Sequence, residues 1–336
     1  MPLSTVDLFT YGIALLIIGG VVWWVLAAWV PEGGLRAPYK YAAYQSGLTR
    51  RQTVPAALLS LLILVPLATK GGDISEFAWV IAAGLYIGGL YIGVIAVANR
   101  PRADYIEQAG GDPDELTPDG SNIVAGTAAV PDGEAPLEAP VSGDPAVCYV
   151  TSVAQYKSRP MRSSGTYFIT AYDVETQPFD VDGAFGTASV DPEGAWVSLV
   201  SGSPTDVEPN VEGAFTGGPA ETEQVVEAGE RVPERFRTTD VFDPLPLTSD
   251  GRAERELRFK ETTITPGESV VVAGEAEQGE GFGETVLRCT TPGTFIAKGD
   301  FESVATSLSK ATSRNLAVGG GLALFGGIGL LWMVIP

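Results

Sequence analysis

The chain has 336 residues, with 41 acidic against 21 basic side chains, no histidine and a net charge of −20. That balance argues against nucleic acid, which needs clustered Lys and Arg on its phosphates. With only two cysteines and no histidine there is no Cys/His cluster for structural zinc. Of the acids, 37 fall between Ala103 and Arg314, against 14 bases. They are scattered rather than packed in a run. The spread predicts a halophilic acidic protein, whose carboxylates keep the surface hydrated in molar salt where screening acts within about 3 Å. An acidic partner-binding face is the competing reading.

Phe9–Val30 is 22 residues without a charge, and Trp23, Trp24 and Trp29 lie toward its far end. Such a stretch predicts a retained membrane-spanning helix with interfacial tryptophans. Val54–Thr69 is shorter, 16 residues, and contains Pro55 and Pro66. It reads as a short span or a re-entrant piece. The full-length apolar stretch Phe77–Ala98 follows closely, which favours a span. That third stretch carries Gly84-x-x-x-Gly88 and Gly89-x-x-x-Gly93, spacings that let helix backbones approach. Leu316–Pro336 predicts a fourth span, with Gly319, Ala323 and Gly327 at four-residue intervals. Helix–helix association through Gly84, Gly88, Gly319, Ala323 and Gly327 is therefore expected. None of the four stretches holds an internal charge, which argues against transport chemistry.

Loop charges predict the orientation. Arg36, Lys40, Arg50 and Arg51 against Glu32 follow the first span, Arg100 and Arg102 follow the third, and Lys310 and Arg314 precede the fourth. Basic residues collect on the cytoplasmic side. The expectation is a multi-pass cell-membrane protein whose large domain is cytoplasmic and whose termini lie outside.

Between the spans, 1–102 holds three helices (9–30, 54–69, 77–98), and 103–120 is polar and turn-rich and reads as a linker. From 121 to 302 short strand-like runs recur, among them Ala146–Tyr156, Thr166–Val174 and Glu284–Thr290. Phe179–Val190 reads as a hairpin with Asp182-Gly183 at its turn. Residues 202–230, rich in Gly, Pro and Glu, read as a flexible acidic insertion. Arg258–Gly274 gives two strands joined by Pro266-Gly267. Phe301, Val304 and Leu308 recur at helical spacing and predict a short amphipathic helix over 303–315, leading into the last span. The fold class expected is a membrane protein with about four transmembrane helices and one mainly antiparallel β domain, barrel or sandwich-like.

Candidate chemistry is sparse. Asp180 and Asp182 lie two apart, so on a strand both carboxylates face one side, and Asp191 follows. Against a calcium loop the pattern fails, because Phe185 stands where glycine is needed. Cys148 and Cys289 sit in strand-like runs, where they could face each other or serve as small buried apolar residues. No histidine base, nucleophile elbow or phosphate loop is present. No catalytic, cofactor-binding or metal residue is assigned, and no cofactor is expected.

Three stretches appear in order: GTAAV…PLEAPVSGDPAVCYV, FDVDGAFGTASVDPEG and RFKETTITPGESVVVAGEA. With the order of membrane helix, β domain, short helix and membrane helix, they resemble the GIDE domain. It is also called BAM, for "beside a membrane", and belongs to mitochondrial outer-membrane RING E3 ubiquitin ligases. The pattern E-x-x-I-x-P-G-E-x-V-x-V-x-G at 261–274 carries the resemblance best, which covers roughly 121–336 except 202–250. The resemblance implies a membrane-flanked β domain that recognises substrates or membrane partners. The sequence departs from it in offering no RING ligands. The reading is therefore a membrane-anchored binding or scaffold module, with the bilayer and an unidentified protein as its expected partners. The alternative is an E3-like or accessory subunit of a ubiquitin-like modification system.

Overall fold

The computed structural model describes residues 44, 47–48, 50–70, 75–108, 120–157, 166–198, 220–237, 245–279, 285–290 and 293–335. The expected span 9–30 and most of the expected insertion lie outside these residues. The chain divides into two compact units, one of 1–31, 46–98 and 311–336 and the other of 32–45 and 99–310.

The first unit is helical. Helix α1 (Arg50–Ser60) runs into a 3-10 turn at Leu61–Leu64 and then α2 (Val65–Lys70), while α3 covers Glu76–Gln108. Among the described residues, two helices are long and apolar enough to cross a membrane, Phe77–Glu107 and Phe301–Trp332. The expectation of about four transmembrane helices is corrected in part: among the described residues 54–69 is divided into three short pieces rather than one continuous helix, while 9–30 lies outside them. Pro66 removes the N–H that would close a regular turn there, and a 3-10 stretch takes its place. The expected linker start at 103 is also corrected. Helix α3 continues through Pro101 to Gln108, because Tyr105 buries its ring in the β domain.

The second unit is mainly β. Its strands are β1 (Ser121–Ala129), β2 (Leu137–Glu138), β3 (Pro145–Ala146), β4 (Cys148–Lys157), β5 (Thr166–Thr176), β6 (Phe179–Gly183), β7 (Gly186–Asp191) and β8 (Trp196–Ser198). There follow β9 (Thr222–Val226), the short α4 (Glu234–Arg237), β10 (Leu257–Ile264), β11 (Ser269–Gln278), β12 (Thr285–Arg288) and β13 (Phe295–Lys298). Helix α5 spans Phe301–Trp332, so the predicted short helix and the last span are one element.

Five strands close a barrel in the order β1-β6-β7-β12-β11 and back to β1. Counted along the chain this is 1-2-3-5-4-1, with β7 and β12 parallel, the strand order of an OB-type Greek-key barrel. Strand β11 is the hub. One edge pairs with β1, and the other is shared between β13 near its start and β12 near its end. A parallel β8 extends the sheet beyond β13. A second, antiparallel sheet has the order β5-β4-β10-β9.

The Pro266-Gly267 turn joins the two sheets. Strands β10 and β11 are consecutive yet do not pair with each other, so the turn is a corner rather than a hairpin. Gly267 has φ of 96°, which suits the third position of a type II turn behind Pro266. The β6–β7 hairpin forms as predicted, but its two-residue loop is Ala184-Phe185, with Gly183 opposite Gly186. Asp182 pairs with Thr187 instead of turning. The expected insertion 202–230 is corrected at its far end, where Thr222–Val226 alternates enough to form β9 on the edge of the second sheet.

The barrel interior is filled by Val124, Val181, Ala188, Val190, Val272 and Leu287, a set drawn from all five strands. The second sheet has its own core, where Phe236 and Phe259 stack with centroids 4.2 Å apart. Such a pair adds about 0.5–1.5 kcal/mol beyond its area burial. Val304 and Leu308 of α5, both buried, pack with Tyr105, Val271 and Phe295 on the outside of the barrel.

Candidate functional site

The family-like pattern at 261–274 builds the corner between the sheets. Glu261, 1% exposed, accepts from the backbone N–H groups of Val141 at 2.7 Å and Ser142 at 2.9 Å. A buried carboxylate thereby satisfies two amides of a turn 120 residues away. Ile264, Val270 and Val272 enter the barrel core. Glu268 accepts from Thr265 N at 2.7 Å and faces Lys298 Nζ at 2.8 Å. The same ammonium reaches Glu221 at 2.7 Å and the Thr263 carbonyl at 2.9 Å, so its three protons each have a partner. Burial raises the Glu268 carboxyl, but the Lys298 ammonium and the Thr265 N–H outweigh it and hold the group below its ordinary value. Gly274 lets the Arg288 carbonyl approach, which would stand 3.1 Å from an added Cβ. These positions are structural.

The carboxylates singled out from the sequence are likewise tied into strands. Asp180 accepts from Ser189 Oγ at 2.7 Å and Asp182 from Thr187 Oγ1 at 2.6 Å, each across the β6–β7 ladder. Asp191 accepts from the Glu193 N–H. Among the described residues no group of three or more His, Cys, Asp or Glu is placed to hold a metal ion. Cys148 and Cys289 are free thiols in the same barrel core, and Cys289 lies one residue past β12. Burial pushes the Cys148 thiol well above its usual range and Cys289 to about 12, so neither is a nucleophile near neutrality.

Between the helices of the first unit, the small residues fall differently from the sequence expectation. A Cβ on Gly89 would stand 2.7 Å from the Gly319 carbonyl, and one on Gly319 would stand 2.9 Å from the Gly89 carbonyl. Ala323 meets Gly89, and Gly326 meets Ala82 and Tyr86. Gly84 and Gly88 have nothing within 4 Å of an added Cβ, and Gly327 touches only the Tyr86 ring at 3.7 Å.

A surface not singled out from the sequence gathers aromatic and cationic groups on the second sheet. The Arg258 guanidinium lies 3.9 Å over the Tyr167 ring and pairs with Glu223 at 3.1 Å. Tyr156 meets Tyr167 edge-on at 5.4 Å, and Lys157 sits 5.4 Å over Phe168. The Tyr167 hydroxyl donates to Glu256. Beside it is an open recess of about 750 Å³, lined by Tyr156, Lys157, Glu227, Glu254, Arg255 and Glu256. Burial, with the Glu256 carboxylate second, raises the Tyr167 hydroxyl, and burial lowers the Lys260 ammonium. Such a surface can stack planar groups and pair with charges of both signs. Its trace in the sequence was the alternation of aromatic and small residues over Thr166–Val174. Nothing local showed that Arg258 would lie over Tyr167, 91 positions away.

No family model, curated protein or solved structure matches this chain.

Proposed function

We propose that this chain is a membrane-anchored, non-catalytic binding module of the GIDE/BAM type, with its β domain in the cytoplasm. Two apolar helices of spanning length support membrane association. The loop charges favour the cytoplasmic side for the β domain, and both termini then lie opposite. The observation that carries the binding reading is the division of labour within the β domain. The residues of the family-like pattern are engaged in the corner between sheets, while Tyr156, Tyr167 and Arg258 form an accessible aromatic–cationic surface. Stacking and paired charges of this kind serve recognition.

The test uses the full chain in native membranes at high salt. Cross-linking followed by purification is compared between the parent and a Tyr167→Ala, Arg258→Ala double variant of unchanged melting temperature. The expected result is a specific cross-linked partner lost in the variant. Stimulation of transfer by a ubiquitin-like conjugating enzyme, dependent on Cys148 or Cys289, would instead sink the non-catalytic reading.

A further inference from the structure

We infer that the broken stretch Arg50–Lys70 makes a complete membrane crossing, as the first limb of a hairpin with α3. The inference rests on the reading that Phe77–Ala98 crosses a bilayer. Its premise is Tyr44, which precedes the stretch yet belongs to the β domain. The Tyr44 hydroxyl donates to the Val197 carbonyl at 2.6 Å, and its own carbonyl accepts from Trp196 Nε1 at 2.8 Å. Its ring lies 6.0 Å from that of Tyr172. A residue bound in this way shares one side of the membrane with the strands that hold it. Between Tyr44 and Ser121 the chain must therefore cross an even number of times. Helix α3 supplies one crossing, and residues 109–119 are too polar to supply another. Only 50–70 remains.

Length does not forbid it. From Val54 to Lys70, thirteen α-helical residues and four 3-10 residues rise roughly 27 Å, against a hydrocarbon core of roughly 30 Å. The 3-10 turn lengthens the limb by about 2 Å over a continuous α-helix of the same residues. In a bilayer a broken helix must have its backbone groups satisfied from within. Val65 N–H takes the Leu62 carbonyl, replacing the donor that Pro66 lacks. The Ile63 carbonyl accepts from Trp79 Nε1 at 2.9 Å, and the Leu59 carbonyl from the Tyr86 hydroxyl at 3.3 Å. Leu59 beside Tyr86 and Ile63 beside Trp79 run in opposite chain directions, which is an antiparallel pair. On the other side Leu58, Leu62 and Val65 are 59, 49 and 42% exposed, an apolar stripe suited to lipid.

The test is labelling of single added cysteines in intact cells with a membrane-impermeant thiol reagent; the two native thiols are buried and stay in place. Arg51→Cys and Glu134→Cys are expected to share one accessibility, and Gly72→Cys, between α2 and α3, to show the opposite one. Opposite accessibility of Arg51→Cys and Glu134→Cys overturns the crossing. Equal accessibility of all three also overturns it. In that case, release of the protein by alkaline carbonate means that the membrane reading itself has failed, and retention means that only the hairpin has.

Discussion

Glu261 shows how one side chain can hold a fold together without acting on anything. Its carboxylate takes two backbone amides of the 139–143 turn, and a buried amide left without a partner costs about 1–3 kcal/mol. Glu261→Ala should lower the stability of the β domain by about 2–4 kcal/mol, read by denaturant unfolding in high salt. Glu261→Gln, which keeps one acceptor oxygen, should cost clearly less; equal losses would assign the effect to packing. Glu268 gives a pH dependence. Its folded value is depressed, so its contribution is fully present above the unfolded carboxylate value of about 4.3. It is lost as pH falls through the folded value. Glu268→Gln should flatten that part of the acid limb. Lys298→Met should destabilise more at neutral pH, because it leaves Glu221 and Glu268 facing each other without the shared cation.

At the scale of elements, the two long helices differ from their glycine spacing in an instructive way. Both small-residue pairs of α3 have the same four-residue interval, yet only Gly89 and Gly93 meet α5. Gly89→Leu and Gly319→Leu should lower the melting temperature in detergent, since an overpacked contact typically costs about 1–3 kcal/mol. Gly84→Leu, with open space beside it, should leave the temperature unchanged. A loss at Gly84 equal to that at Gly319 would show that the helices pair through the other face. Spacing identifies faces that can approach; rotation of each helix about its axis decides which face does, and that rotation is set by contacts such as Trp79 with Ile63.

For the whole molecule, charge and topology make separate demands. An excess of 20 negative charges repels itself in dilute buffer, so the melting temperature should rise between low and molar salt. A flat profile would remove the salt-adapted reading. The excursion between β8 and β9 begins and ends on one strand: Ser198 lies opposite Ala297, and Glu221 is paired with Lys298, the next residue. Replacing 201–219 with a short Gly/Ser linker should therefore leave melting within a few degrees of the parent, because loop closure depends only weakly on length. A collapse of the domain would assign these residues a place in the core.

The sequence by itself determined the division into apolar helices and a β domain, the Pro266-Gly267 turn, the β6–β7 hairpin, and the buried phase of Val304 and Leu308. Each of these follows from chemistry within a few neighbouring residues: unbroken apolar length, a preset φ, alternation, or helical spacing. Only the tertiary structure decided that β10 and β11 part into different sheets, and that five strands close in the order 1-2-3-5-4-1. The same holds for Glu261 capping a turn 120 residues away, for Arg258 covering Tyr167 and for Tyr44 docking on Trp196. Strand order and buried partners are settled by which surfaces can close together and leave no amide or charge unsatisfied. That condition acts between residues far apart in the chain, where no local pattern records it.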